Sequence, residues 1–84
     1  MNSEDVMDDV AAAAVAAEAK HGRLTGDPVR ACAILGREWG EAMNEALLLT
    51  VPGAEARSKH RKQLYDELAQ VAATAMLAME NIDL

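Results

Sequence analysis

Hydrophobic residues recur along the chain at intervals of three and four, which is the spacing of one face of an α-helix. The clearest series lies in the last third of the sequence and comprises Leu64, Leu68, Val71, Ala75, Met79 and Ile82. A second series near the start comprises Val6, Val10, Ala13 and Ala17, and it runs through an alanine tract that favours helix. The pattern predicts an all-α protein.

Start and stop signals divide this pattern into three helices. Ser3 is the predicted N-cap of the first helix, which ends before Gly22. Asp27 followed by Pro28 is typical of a helix start, and Pro52 marks the turn that ends the second helix. We therefore expect one all-α domain over residues 1–84, with helices at about 3–20, 28–49 and 55–81.

The composition indicates a small core that a second copy completes. The chain has 84 residues, of which 51% are hydrophobic, but Trp39 and Tyr65 are its only aromatic residues. Alanine, leucine, valine and methionine carry the apolar content, and a chain of this length seldom buries enough surface alone. We expect a three-helix subunit that assembles into a helical-bundle homo-oligomer.

Net charge, cysteine content and hydropathy narrow the possible binding partners and the expected cellular compartment. A net charge of −6 argues against binding nucleic acid or an anionic membrane, and it leaves cations, above all metal ions, as partners. The lone Cys32 excludes an internal disulfide, and we expect it to be a small buried residue. No apolar run is long enough to span a bilayer, and no secretory or lipidation signal is recognisable, so we expect a cytoplasmic protein.

The second predicted helix carries an acidic stripe. Glu38, Glu41 and Glu45 follow at steps of three and four, so they share one face. Stacked like charges cost about 0.2–0.5 kcal/mol per pair, so stability alone does not favour this arrangement. The other side is apolar and is the predicted core face; it comprises Cys32, Leu35, Trp39, Ala42, Met43 and Ala46.

Glu67 on the third helix extends this acidic chemistry. It lies at the edge of that helix's apolar series, where a carboxylate is costly without a partner. If the second and third helices pack antiparallel, Glu38, Glu41 and Glu67 converge, and carboxylate oxygens of this kind suit Mg²⁺ or Mn²⁺. The alternative interpretation is that the stripe on the second helix is a solvated face.

Two short motifs resemble a known family. Residues 34–42, Ile-Leu-Gly-Arg-Glu-Trp-Gly-Glu-Ala, resemble the leading motif of the all-α nucleoside triphosphate pyrophosphohydrolases, the MazG-like superfamily. That motif has a leucine, paired glutamates, a hydrophobic–glycine step and another glutamate. Residues 64–73 are similar to the second motif as it occurs in MazG-like proteins of bacteria and phages. The resemblance spans about residues 18–80.

The resemblance implies a fold, an activity and a ligand set. Members form dimers or tetramers and split nucleoside triphosphates into a monophosphate and pyrophosphate, with Mg²⁺ held by the two motifs. Glu38, Glu41 and Glu67 match the family's metal ligands. Gln70 stands where the family has an aspartate ligand, and Arg37 replaces the first paired glutamate. An amide oxygen can still coordinate Mg²⁺, but it brings no charge.

Further roles follow from the same chemistry. Glu41 or Glu45 can accept a proton from the attacking water. Arg57 and Arg61 are candidates for binding the triphosphate, although a solvated basic first turn explains them as well. His60 and Trp39 are also candidate substrate contacts, with surface packing as the alternative for His60 and a core position for Trp39.

Three functions remain open from the sequence. The first is a Mg²⁺- or Mn²⁺-dependent nucleoside triphosphate pyrophosphohydrolase that clears modified or surplus nucleotides. The second is a catalytically degenerate relative that binds nucleotide or metal and serves as a regulatory module. The third is a purely structural helical oligomerisation protein. Release of pyrophosphate separates the first from the others.

Overall fold

The computed structural model describes residues 1–23 and 27–82, except for the side chains of 54–56, and over these residues it is all-α with no strand. Three helices follow in chain order: α1 (Ser3–His21), α2 (Pro28–Leu48) and α3 (Ala54–Glu80). This confirms the predicted all-α fold of three helices, and each helix begins and ends within one residue of the expected position. Within the described ranges, none of the helices has the length and apolar character needed to cross a membrane.

The helix starts are set by side-chain caps. Asp27 accepts a hydrogen bond from the backbone N–H of Arg30 at 2.9 Å, and Pro28 follows it, as the sequence predicted. The predicted cap of α1 was wrong by one residue: Asn2 is the N-cap, and its Oδ1 accepts from the N–H of Asp5 at 2.9 Å. Asparagine caps as well as serine does, and the residue that precedes the first helical turn takes the role.

The end of α1 is fixed by a glycine. Gly22 has a φ of 70°, a conformation that side chains with a Cβ rarely adopt, and its N–H donates to the carbonyl of Glu18 at 2.8 Å. Arg30 Nη2 donates to the carbonyl of His21 at 2.9 Å and so joins the end of α1 to the start of α2. This connection brings His21 close to the face of α2 that carries the acidic stripe.

The core is thin and made mostly of alanine. α3 packs against both α1 and α2. One buried cluster joins the three helices and consists of Ala14, Ala31, Ala73 and Leu77. Small side chains let helix backbones approach closely, but they remove little apolar surface from water.

The predicted core face of α2 was wrong in part. Trp39 is 52% exposed, and Met43 and Cys32 are exposed as well, whereas Ala42 is buried. α2 turns its alanines towards α3, because Ala31 and Ala42 allow a closer approach than Trp39 does. That rotation carries Glu38 into the interior and leaves the bulkier apolar residues on the surface.

The dimensions agree with an incomplete core. The radius of gyration is 14.1 Å, whereas a compact domain of this length has about 12 Å. The accessible surface is 5909 Å², against about 4,850 Å² for a typical monomer of 9.0 kDa. The chain therefore exposes more surface than a self-sufficient domain of its size.

Candidate metal centre

Glu38 is the most unusual side chain of the fold because it is charged and only 3% exposed. It shares the inner face of α2 with Ala31 and Ala42, at spacings of seven and four residues. His21 Nε2 lies 3.9 Å from Glu38 Oε1, too far for a hydrogen bond. Within the described part of the chain, Glu38 Oε2 is buried and has no hydrogen-bond partner.

Glu41 and Glu67 complete a group of three carboxylates, here called the glutamate cluster. One carboxylate oxygen from each of Glu38, Glu41 and Glu67 lies within 4.8 Å of the others. Glu41 is exposed and follows Glu38 by one turn of α2, and Glu67 reaches the group from α3. Packing of α2 against α3 thus brings together the three residues whose convergence the sequence indicated.

The cluster is electrostatically strained. Burial raises the pKa of Glu67, and the nearby charge of Glu41 and a hydrogen bond shared with it raise that pKa further. The charges of Glu38 and Glu45 act in the same direction. A proton held by Glu67 relieves the repulsion between the carboxylates, and a bound cation would relieve it more completely.

The donor set fits a small, hard dication. Glu67 Oε2, like Glu38 Oε2, is buried and lacks a hydrogen-bond partner among the described residues. Mg²⁺ binds oxygen at about 2.1 Å, so a bound ion would draw the three oxygens, now within 4.8 Å of one another, closer together. Two buried oxygens without partners are what a bound cation would satisfy.

Gln70, predicted as a fourth ligand, lies one turn beyond Glu67 on α3. It is partly buried and lines the same groove as Glu38.

Glu45 lies in a separate contact on the same side of α2. Its Oε2 is 2.7 Å from His60 Nδ1, and both side chains are mostly buried. With its nitrogen turned towards Glu45, the Gln63 amide donates to that same oxygen at 3.1 Å. Glu45 and His60 are thus engaged with each other, and of the two candidate bases Glu41, a member of the cluster, is the more exposed.

A groove between α1 and α3 opens next to Glu38. Its volume is about 710 Å³, and Glu38 is the member of the glutamate cluster that lines it. The other charged or basic lining residues are Asp9, Lys20, His21, Lys62 and Asp66. Across this groove, Tyr65 donates a hydrogen bond to Asp9 at 2.5 Å, and this bond raises the pKa of Tyr65 to about 12. Sequence reasoning missed these residues, because they come from two helices whose relative rotation the local pattern does not specify.

The other predicted substrate contacts lie elsewhere. Arg57 and Arg61 are exposed on α3 and do not line the groove. Trp39 is also outside the groove and is 52% exposed. It follows Glu38 directly, so its side chain points about 100° away round the helix.

Comparison with known proteins identifies no relative: no family model, curated protein or solved structure matches the chain. The resemblance to the MazG-like superfamily therefore depends on the motif residues alone.

Proposed function

We propose that the chain is a Mg²⁺- or Mn²⁺-dependent nucleoside triphosphate pyrophosphohydrolase. It would convert a ribo- or deoxyribonucleoside triphosphate and water into a nucleoside monophosphate and pyrophosphate. The observation that carries this proposal is Glu38, a buried carboxylate with a partnerless oxygen beside Glu41 and Glu67. A cluster of this kind costs stability unless a cation uses it.

The cluster supplies the groups that such a reaction needs. A bound dication would neutralise charge on the phosphate oxygens as the anhydride is cleaved. Glu38, Glu41 and Glu67 would hold it together, each through one carboxylate oxygen. Glu41 is the exposed member, so its second oxygen can accept the proton of the water that attacks the α-phosphorus, while the bond between the α- and β-phosphates breaks and pyrophosphate leaves.

The groove beside Glu38 supports a nucleotide-sized substrate. Its volume of about 710 Å³ lies within the range of small-molecule sites. The acidic Asp9, Glu38 and Asp66 line it, and Lys62 Nζ lies 3.3 Å from Asp66 Oδ2. Lys20 and His21 are the basic lining residues outside that ion pair. We propose that these residues, more than Arg57 and Arg61, meet the phosphates.

The motif resemblance supports the same reaction and also suggests an oligomeric state, a cellular compartment and a biological role. A MazG-like enzyme of this kind would act as a homo-oligomer, dimer or tetramer, in the cytoplasm, and would remove surplus or modified nucleotides. A second candidate function is a module that binds nucleotide or metal without turnover. Gln70 favours that alternative, since it removes one carboxylate from the family's ligand set.

An assay of pyrophosphate release tests the proposal. The protein is incubated with a panel of ribo- and deoxyribonucleoside triphosphates, with Mg²⁺, with Mn²⁺ or with a chelator. We expect release of pyrophosphate only with metal, and loss of that release in Glu38→Gln and Glu41→Gln. Metal-dependent nucleotide binding without release would identify the binding module, and indifference to both ligands would leave a structural oligomerisation protein.

A further inference from the structure

The outer side of α2 is an uncharged, exposed surface that runs most of the length of the helix. At 100° per residue, its members fall within about 120° of the helix circumference. All of them are exposed. The surface, here called the α2 stripe, comprises Val29, Cys32, Ala33, Gly36, Trp39, Gly40, Met43 and Leu47.

Two glycines at the centre of the α2 stripe have no function within one chain. Gly36 and Gly40 lie one turn apart inside α2, where each glycine costs about 1 kcal/mol relative to alanine. Neither has a positive φ, and a Cβ built on either meets no atom of the described residues within 4 Å. The fold of a single chain would accept alanine at both positions. The other situation that favours glycine is the close approach of another backbone, and this would explain Gly36 and Gly40.

The chain as a whole exposes enough surface for an interface with a second copy. The chain exposes about 1,000 Å² more than a typical monomer of its mass. A stable protein–protein interface buries about 800 Å² on each partner. The excess is therefore enough for one interface of ordinary size. The α2 stripe offers an uncharged place for it on a chain whose net charge of −6 otherwise repels a second copy.

We infer that a second copy of this chain docks on the α2 stripe, with the two α2 helices antiparallel and closest at Gly36 and Gly40. In this register each Gly36 faces the partner's Gly40, and each Met43 lies opposite the partner's Ala33, so that a large residue meets a small one. Trp39, at the edge of the stripe, becomes covered. The inference names the surface of the proposed assembly and does not depend on catalysis.

The arrangement leaves the glutamate cluster free. Glu38 lies on the inner side of α2, about 160° round the helix from the centre of the stripe. The dimer therefore carries two independent sites, one in each chain, with no residue of one copy needed in the site of the other.

Leucine substitutions at the two glycines test the inference. Sedimentation velocity over a range of concentrations compares the wild type with Gly36→Leu and Gly40→Leu. Ser58→Leu is the matched control, because it adds the same side chain at an exposed position of α3 outside the stripe. We expect the wild type and the control to reach twice the 9.0 kDa chain mass. We expect a dimer dissociation constant raised about tenfold to a hundredfold in both glycine variants.

Helicity measured on the same samples separates lost association from lost folding. Leucine is the better helix former, and a Cβ at either position is in open space among the described residues, so the variants should keep the helical content of the wild type. Gly36→Ala and Gly40→Ala, which add one carbon, should weaken the dimer less. A wild type that is monomeric at every concentration would overturn the inference. So would glycine variants that dimerise as tightly as Ser58→Leu.

Discussion

Glu38 on α2 and Glu67 on α3 place carboxylate oxygens within 4.8 Å of each other across the helix pair, and each keeps a buried oxygen without a partner in the described structure. Two like charges that face each other in a partly dry interior repel, so this contact opposes the packing of α2 on α3. The proposed cation converts the same contact into a link between the helices. The first three predictions test whether a cation changes this contact from repulsive to stabilising.

Mg²⁺ and Mn²⁺ should stabilise the wild-type fold. A ligand that binds only the native state adds stability by mass action, and at a hundred times its dissociation constant the gain is about 2.7 kcal/mol. We expect the melting temperature to rise with millimolar Mg²⁺ or Mn²⁺ and to stay constant in Glu38→Gln. A melting temperature of the wild type that moves with neither ion would argue against a metal site.

Glu38→Gln should stabilise the protein in the absence of metal. Glutamine has nearly the same shape, removes one charge from the cluster and can donate to the neighbouring carboxylates. We expect a gain of about 1 kcal/mol in the free energy of unfolding, measured with a denaturant in the presence of a chelator. A loss of stability would indicate that Glu38 has a favourable partner, with His21 as the nearest candidate.

Gln70→Asp should tighten the binding of Mn²⁺. The residue lies one turn beyond Glu67, and a carboxylate contributes more to a hard dication than an amide oxygen does. Glu67→Gln is the matched control, since it makes the opposite change at a proposed ligand and should weaken binding. Calorimetric titrations of wild type and both variants measure this. Equal affinities in all three would mean that this part of α3 binds no metal.

The helices were predictable because their signals are local. Asp27 and Pro28 are adjacent in sequence, and the cap they form is the one that the structure contains. The error at Ser3 is of one residue, because Asn2 can make the same hydrogen bond. Spacing alone was also enough to place Glu38 and Glu41 on the same side of α2.

The orientation of α2 was not predictable from hydrophobicity. Trp39 and Met43 are more apolar than the alanines of α2, so a pattern of hydrophobicity assigns them to the core. The structure buries Ala31 and Ala42 instead, because small side chains allow two helices to pack closer together than large hydrophobic side chains do. The groove residues Lys20 and Lys62 were missed for a related reason: only the packing of α1 on α3 brings them together.

Tyr65 should titrate at an unusually high pH. It is the only tyrosine, so its ionisation can be followed by the ultraviolet absorbance of tyrosinate. The hydrogen bond to Asp9 raises the pKa of Tyr65 to about 12, and in an unfolded chain the value is about 10. Since the unfolded state loses this proton first, stability should fall as the pH rises from about 10 to about 12.

Asp9→Asn provides the control for this titration. The substitution replaces the Asp9 carboxylate, which accepts the Tyr65 hydrogen bond and disfavours ionisation of Tyr65, with a neutral amide. The pKa of Tyr65 should therefore move back towards 10. A wild-type midpoint near 10 would show that Tyr65 and Asp9 are not joined, and that α1 does not dock on α3 as described.

The central claim is that Glu38, Glu41 and Glu67 together hold one divalent cation, and anomalous diffraction from Mn²⁺-soaked crystals tests it most directly. The proposal predicts a single strong anomalous peak within bonding distance of one carboxylate oxygen from each of the three residues, and no such peak in Glu38→Gln crystals. A Mn²⁺ peak at other carboxylates only, or none in a crystal with an accessible cluster, would contradict it.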